Sequence, residues 1–205
     1  MISGAIGAII LAAGQATRMG VPKLLLPWKH GSVIESVIDL TLAAKLNPVV
    51  IVTGAFSSQI RNTLSHYSDQ ICFIHNDKFA EYEMLYSIKL GLSQLAGKCE
   101  AAMLFLGDQP HISSETVSDM ISIYSHQGIG ILIPSHRMKR GHPILIQHQF
   151  FYEILDMPDN SNLKVFLANH EKDIQYLVTQ DDSVLEDMDT PSGYQQLKKK
   201  HLDQG

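Results

Sequence analysis

The sequence predicts a three-layer α/β domain with a mainly parallel sheet. Short, continuously apolar segments of strand length alternate along the chain with segments whose apolar residues recur at helical spacing. Strands that are apolar throughout are buried on both faces, which is typical of parallel sheets covered by helices. The 205 residues contain no internal repeat and no linker-like segment, so we expect one domain over residues 1–205.

The predicted strands are apolar runs that end at small, polar or turn-forming residues. In chain order they cover residues 5–11, 49–53, 71–75, 101–106, 129–134, 143–147 and 174–178.

The predicted helices lie between these strands, and two of them carry recognisable start signals. Ser32 and Glu35 stand at the spacing of a capping box, in which each side chain satisfies a free backbone N–H group. Thr190 places a capping hydroxyl before Pro191 in the first turn of a final helix. The predicted helices are 33–45, 58–66, 84–95, 114–126 with Ser114 as its cap, 149–155, 161–170 and 191–200.

Composition excludes some classes of protein. Hydrophobic residues make up 45% and charged residues 18%, which is typical of a folded globular protein and excludes disorder. Sixteen Lys and Arg against 21 Asp and Glu leave a net charge of −5. Because nucleic-acid binding depends on clustered cations, we expect no nucleic-acid partner.

The cysteines and the first residues bear on localisation. Cys72 and Cys99 are far apart, so we expect thiols that are at least half-buried, in a reducing compartment and without a disulfide. The longest apolar stretch, 5–13, is roughly half of the ~20 residues that span a bilayer. Residues 1–4 carry no Lys or Arg of a secretion signal. We therefore expect a cytoplasmic protein with no membrane partner.

The loop after the first strand has the chemistry of a phosphate site. In parallel sheets ligands bind beyond the carboxyl ends of the strands. There, Ala12, Ala13 and Gly14 have almost no side chain, so a ligand could approach their backbone N–H groups closely. Arg18 and Lys23 could neutralise a polyphosphate, although the spacing is neither a Walker A loop nor a dinucleotide motif. An ordinary βα turn with surface cations remains an open alternative.

A carboxylate follows the strand at 101–106. Gly107 releases Asp108 from the strand and Pro110 arrests the chain just beyond it. Asp108 could bind Mg²⁺, which prefers carboxylate and phosphate oxygens, or it could cap the next turn. Loop cations together with a metal-binding carboxylate fit transfer on a nucleoside triphosphate.

Four motifs now give a resemblance. LAAGQATRMGVPKLLLPW at 11–28, GDQP at 107–110, GHP at 141–143 and DMDTP at 187–191 resemble the MobA-like nucleotidyltransferase family, and within it the molybdenum cofactor cytidylyltransferases. The match runs from about residue 5 to 194. It implies a Rossmann-like sheet of the nucleotide-diphospho-sugar transferase type. It also implies transfer of CMP from CTP to molybdopterin phosphate, with release of pyrophosphate.

The resemblance further implies roles for single residues. For nucleotide binding these are Leu11, Ala12, Ala13, Gly14, Arg18, Lys23, Gly54, Asn76 and Asp108. For catalysis they are Lys23, Arg18 and Asp108; for Mg²⁺ they are Asp108 and Asp189; for the acceptor they are Ser87, Gly141 and His142. Asp189 could instead cap the final helix. The reading LAAG with Pro22-Lys23, in place of LAGG with Asp-Lys, favours CTP over GTP.

Two segments depart from the family pattern and bear on the acceptor. EMLYSI at 83–88 replaces Gly-Met-x-x-Ser-Leu, and PDNSNLK at 158–164 replaces Gly-Asp-x-Gly-x-Arg. In the second segment Lys164 stands in place of Arg, and a lysine cannot bind phosphate in the bidentate manner of arginine.

Met84 and Met103 are predicted to lie in the hydrophobic core. The alternatives are GTP as donor, another phosphorylated acceptor such as a sugar phosphate, or a non-catalytic cofactor-delivery protein. A molybdoenzyme or its maturation chaperone is the expected protein partner.

Overall fold

The structure is a computed structural model that describes residues 4–15, 21–186 and 188–202. Its strands are β1 (Ile6–Ala12), β2 (Pro27–Trp28), β3 (Gly31–Ser32), β4 (Val49–Thr53), β5 (Ile71–His75), β6 (Ala101–Leu106), β7 (Ile131–His136), β8 (Lys139–Arg140), β9 (Ile144–Gln147) and β10 (Ile174–Val178). Its α-helices are α1 (Val33–Ala43), α2 (Ser57–Thr63), α3 (Met84–Leu95), α4 (Ser114–Gln127), α5 (Phe151–Asp156), α6 (Leu163–Asn169) and α7 (Pro191–Leu202). Short 3₁₀ helices include Lys23–Leu25 and Asp182–Leu185.

Within the described residues the long strands form one eight-stranded sheet. Its order is β10-β7-β9-β6-β1-β4-β5, with β8 paired to β7, while β2 and β3 form a separate small hairpin. The pairs β6–β1, β1–β4, β4–β5 and β7–β10 are parallel, and β9 runs antiparallel to β6 and β7. The carboxyl ends of β1, β4, β6 and β7 therefore lie at the same edge of the sheet.

Helices cover both faces of the sheet and give two cores. Side chains alternate between the faces, so that Ile10 of β1 packs in the core under α1, α4 and α7, whereas Ile9 packs in the core under α3, α5 and α6. Gly91 of α3 lies so close to the sheet that a Cβ there would be 2.6 Å from Ile9. The predicted three-layer α/β architecture with a mainly parallel sheet is confirmed.

Several predicted boundaries are confirmed and others are wrong. β4, β5, β6, β10 and α3 have the predicted bounds, and the capping box forms, with Glu35 accepting from the Ser32 N–H at 2.6 Å. The cap of α4 is Ser113, not Ser114, because its hydroxyl accepts from the Thr116 N–H at 3.1 Å. β7 begins two residues later than predicted, since the chain still turns after the left-handed Gly128.

The two cysteines differ from each other. Cys99 is buried as predicted, whereas Cys72 is exposed, which contradicts the prediction. The physical reason is that β5 is the edge strand of the sheet, so its outward-facing side chains meet solvent. Both thiols are free. Within the described residues, no helix combines the length and the apolar character that crossing a membrane requires.

Candidate active site

The ends of β1 and β6 meet at the ligand edge of the sheet. The Gly107 N–H donates to the Leu11 carbonyl at 3.0 Å. A Cβ at residue 107 would lie 2.9 Å from that same oxygen, so only glycine permits this approach. Asp108 is thereby delivered directly beside the small-residue loop that follows β1.

A cavity of about 340 Å³ opens at this edge, a volume that suits a small-molecule ligand. Most of the predicted nucleotide-binding residues lie in its wall, together with one predicted acceptor residue. These are Leu11, Ala12, Ala13, Gly14, Lys23, Asn76, Ser87 and Asp108. Arg18 lies outside the described residues.

Lys23 joins two carboxylates at this cavity. Its ammonium donates to Asp108 Oδ2 and, at 2.8 Å, to Asp189 Oδ1. Only 15% of the Lys23 side chain is exposed, against 19% for Asp108 and 42% for Asp189. Burial by itself would lower the pKa of Lys23, but Asp108 and then Asp189 outweigh it, and the pKa is raised. Lys23 is therefore a fixed positive charge at neutral pH.

Asp189 reaches this cluster from the segment before α7. The hydroxyl of Thr190 accepts from the Gly193 N–H at 3.1 Å, so Thr190 supplies a capping hydrogen bond, as predicted. The Asp189 carboxylate also contacts Lys23. Its role as a metal ligand stays a prediction.

Gln109 holds the Asp189 segment against the turn that carries Asp108. Its Nε2 donates to the Glu186 carbonyl at 2.8 Å, and the His142 N–H donates to the Val184 carbonyl at 3.1 Å. Sequence reasoning gave Gln109 no role, although its place in the GDQP motif was a signal. The first hydrogen bond joins the turn after β6 to the segment before α7. The second joins the loop before β9 to that same segment.

His142 and Gly141 lie on the same side of the site, but they are placed differently. His142 is half-buried, and burial lowers its pKa to about 4, with Asp108 acting in the opposite direction. Its imidazole is thus neutral at pH 7. Gly141 is buried, and a Cβ there would be 2.4 Å from the Val184 carbonyl oxygen, so packing alone requires glycine. An acceptor role for Gly141 stays a prediction.

Asn76 and Ser87 are bonded to each other at the cavity wall. Asn76 Nδ2 donates to Ser87 Oγ at 2.9 Å, and its Oδ1 accepts from the Lys78 N–H at 2.8 Å. Asn76 therefore ties the turn after β5 to the first turns of α3. Gly54 does not line this cavity but a neighbouring one. A Cβ at residue 54 would lie 2.5 Å from the Ala13 carbonyl oxygen.

The apolar wall of the cavity is what sequence reasoning missed. Phe56, Phe79 and Tyr82 line it, and so does Met84, which is 44% exposed rather than part of the core. Met84 is the first residue of α3, so its side chain faces the ligand edge instead of the sheet. The Met in the family segment at this position was the available signal. Met103, in the middle of β6, is fully buried as predicted.

The donor set fits a hard divalent cation. Asp108 and Asp189 offer carboxylate oxygens that already converge on one positive charge. The described part of the chain contains no group of three or more His, Cys, Asp or Glu that could hold a metal ion. Mg²⁺ is commonly bound through one or two carboxylates and completes its shell with water and substrate phosphates. Two aspartates beside the small-residue loop after β1 match that pattern.

A second half-buried lysine anchors the segment that departs from the family pattern. Lys89 of α3 donates to the Met157 carbonyl at 2.7 Å and to the Asp159 carboxylate. It fixes the turn between α5 and α6 against α3. Lys89 does not line the main cavity.

Comparison with known proteins shows which family the chain resembles. A model of the MobA-like NTP transferase domain matches residues 8–174. The molybdenum cofactor cytidylyltransferase of Escherichia coli (strain K12) is 27% identical over 201 residues, which cover 97% of this chain and 98% of that protein.

Solved structures show the same fold. A nucleotidyl transferase from Methanothermobacter thermautotroptrophicus superposes with a TM-score of 0.82 at 20% identity, covering 99% of this chain and 100% of that one. A protein from Mycobacterium tuberculosis H37Rv, solved in complex with manganese, gives a TM-score of 0.76 at 23% identity over 94% and 97% of the chains. The chain therefore belongs to the MobA-like NTP transferase family and is a nucleotidyltransferase.

Proposed function

We propose that this protein transfers CMP from CTP to the phosphate of a molybdopterin-type acceptor, with Mg²⁺ as cofactor and pyrophosphate as the second product. The observation that carries the proposal is the contact of Lys23 with Asp108 and Asp189 beside the loop after β1. The choice of CTP and of the acceptor is supported by the LAAG sequence and by the E. coli relative, which matches across nearly the whole chain.

The loop after β1 binds the triphosphate in this proposal. Ala12, Ala13 and Gly14 line the cavity with little side chain, so phosphate oxygens can approach their backbone N–H groups. Lys23 lies at the same wall and balances charge on the transferring and leaving phosphates. Arg18 is assigned the same role.

Asp108 and Asp189 would hold the metal. Bound there, Mg²⁺ supplies charge neutralisation on the phosphoryl group being transferred. The two carboxylates approach from different segments, so they fix the position of that charge relative to the loop after β1. Gln109 keeps the two segments in register, which makes it a positioning residue.

The acceptor side is assigned to His142, Ser87 and Gly141. An acceptor phosphate oxygen attacks the α-phosphorus in line, the bond from that phosphorus to the bridging oxygen of the β-phosphate breaks, and pyrophosphate leaves with that electron pair. No covalent enzyme intermediate forms, so no enzyme nucleophile is required. The neutral His142 imidazole can hydrogen-bond the acceptor without adding charge.

Cellular setting and organisation are part of the same proposal. We propose one domain over residues 1–205, supported by a continuous sheet whose strands extend from residue 6 to residue 178. Two free cysteines support a cytoplasmic, reducing setting. A molybdoenzyme or its maturation chaperone is the proposed recipient of the product.

The test is pyrophosphate release from CTP, GTP, ATP and UTP with Mg²⁺, against molybdenum cofactor, a sugar 1-phosphate and a polyol phosphate. We expect release only with CTP and the molybdenum cofactor. Preference for GTP would contradict the base assignment, and release with a sugar phosphate would contradict the acceptor. CTP binding without release from any acceptor would indicate a delivery protein instead.

A further inference from the structure

One ammonium contacts both carboxylates of the candidate metal site. Lys23 lies in the 3₁₀ helix after the loop that follows β1, Asp108 lies at the end of β6, and Asp189 precedes α7. Lys23 Nζ donates to Asp108 Oδ2 and to Asp189 Oδ1, so the two oxygens converge on the ammonium from different segments. Lys23 therefore holds a cation at the place where the two carboxylates meet.

A divalent metal would need the same oxygens or their immediate neighbours. A metal ion beside the Lys23 ammonium would be repelled, because the ammonium side chain is only 15% exposed and water screens partly buried charges less than exposed ones. The ammonium and the metal therefore compete for one position between Asp108 and Asp189.

A triphosphate relieves this competition. Lys23 lines the same cavity as Ala12 and Gly14, the loop residues to which the proposed function assigns the triphosphate. Phosphate oxygens there would offer the ammonium charge-assisted hydrogen bonds comparable to those it makes with the aspartates. The long lysine side chain can change partner by rotation of its own torsions.

We propose that Lys23 is the resident counter-cation of Asp108 and Asp189, and that it yields them to a divalent metal when a nucleoside triphosphate accepts its ammonium. The inference rests on the proposed function, because it uses the triphosphate position assigned there. Metal and nucleotide binding are then positively coupled through Lys23, and each raises the affinity for the other by the same factor.

Lys89 provides a matched control. Its side chain is 15% exposed, like that of Lys23, and it also donates to an aspartate. Its second acceptor is a backbone carbonyl, at Met157, so removal of Lys89 leaves one carboxylate rather than two. Lys89→Met thus reproduces the loss of a half-buried lysine without freeing a pair of carboxylates.

The experiment measures Mn²⁺ binding by electron paramagnetic resonance of free Mn²⁺, first without nucleotide. Lys23→Met should bind Mn²⁺ ~10-fold or more tighter than the unmodified protein, within the usual coupling range of about 5–150-fold. Lys89→Met and Lys23→Arg should bind as the unmodified protein does, because both keep a cation at residue 23. Adding Asp108→Asn to Lys23→Met should remove the gain in Mn²⁺ affinity. That loss would show that the extra Mn²⁺ binds at Asp108 and Asp189.

The second arm adds CTP, with the Mn²⁺–CTP complex in solution accounted for. CTP should raise the Mn²⁺ affinity of the unmodified protein more than that of Lys23→Met. The inference would be overturned if the unmodified protein and folded Lys23→Met bound Mn²⁺ equally well without nucleotide. The proposed function would still stand in that case if the unmodified protein released pyrophosphate. A gain in Lys23→Met without pyrophosphate release by the unmodified protein would support Lys23 as the counter-cation of Asp108 and Asp189 and would contradict the proposed function.

Discussion

Lys23 and Lys89 are equally buried, with 15% of each side chain exposed, and each donates to an aspartate. What differs is the second partner: Lys23 contacts another carboxylate, Asp189, whereas Lys89 contacts a backbone carbonyl. Burial and one ion pair therefore do not distinguish the candidate site lysine, Lys23, from Lys89. The separating feature is that Lys23 brings together two hard oxygens from distant segments at the wall of a cavity.

The surroundings of the two lysines reinforce this difference. Lys89 links α3 to the turn after α5 through its hydrogen bonds to the Met157 carbonyl and the Asp159 carboxylate. Lys23 links the loop after β1 to the end of β6 and the start of α7, all at the ligand edge of the sheet. Disrupting the first link should affect stability, and disrupting the second should affect chemistry.

The largest expected effect is on turnover. Lys23→Ala and Asp108→Ala should each lower pyrophosphate release by at least ~100-fold, the scale for losing one transition-state charge contact. Lys89→Ala should stay near the unmodified rate. Steady-state rates under saturating CTP and Mg²⁺ measure this, and near-normal rates in both cavity variants would contradict the assigned roles.

Asp189 should matter less than Asp108, because its side chain is more exposed, at 42% against 19%. We expect Asp189→Asn to lower turnover by about 10-fold, as one of two carboxylates around the transferring phosphate is lost. Thr190→Ala, next to it, should instead cost about 1 kcal/mol of stability through the lost cap. If Thr190→Ala reduced turnover as much as Asp189→Asn, the residue pair would act only through the start of α7.

The Lys89 link should show itself in thermal unfolding. Lys89→Met leaves Asp159 and the Met157 carbonyl without this donor, which should cost about 1 kcal/mol and lower Tm by roughly 2–4 °C. Mn²⁺ should not restore the loss. Full recovery of Tm on adding Mn²⁺ would mean that Lys89 also occupies a metal-binding position, which would contradict the distinction drawn between Lys23 and Lys89.

The smallest effect concerns His142, which faces Asp108 without adding charge. Its pKa is lowered to about 4 in the fold, against 6.5 as the ordinary value, so between these pH values the unfolded chain binds a proton that the folded chain does not. Stability therefore falls as the pH drops below about 6.5. From pH 8 to pH 6 we expect His142 to contribute a loss of roughly 0.5–1 kcal/mol. His142→Asn should reduce that loss, measured by urea unfolding at each pH, and an unchanged pH profile would place the proton elsewhere.

The sequence predicted best those parts of the molecule that have a local signal. Uninterrupted apolar runs predicted β4 and β6, which are buried on both faces, and apolar residues at helical spacing predicted α3. The bounds of β5 were also predicted, but its apolar residues did not reveal that it is a partly exposed edge strand. The hairpin of β2 and β3 escaped prediction, since strands of two residues have no periodicity to detect.

The candidate site followed the same rule. Asp108 and the loop after β1 were predictable because glycines and a proline mark where strands end. Met84 was assigned wrongly to the core, because helical spacing reports a buried face but not that the first residue of a helix turns toward the ligand edge. The Lys89–Asp159 contact, across 70 residues, has no local signature at all.

The most direct test of the central claim is thermal unfolding of the purified protein with CTP, GTP, ATP and UTP, each with and without Mg²⁺. A ligand at about 100 times its Kd adds about 2.7 kcal/mol. We expect a rise in Tm of several degrees that is confined to CTP with Mg²⁺ and absent in Asp108→Ala. An equal shift with all four nucleotides without Mg²⁺, or no shift with any of them, would contradict a metal-dependent CTP site at Lys23, Asp108 and Asp189.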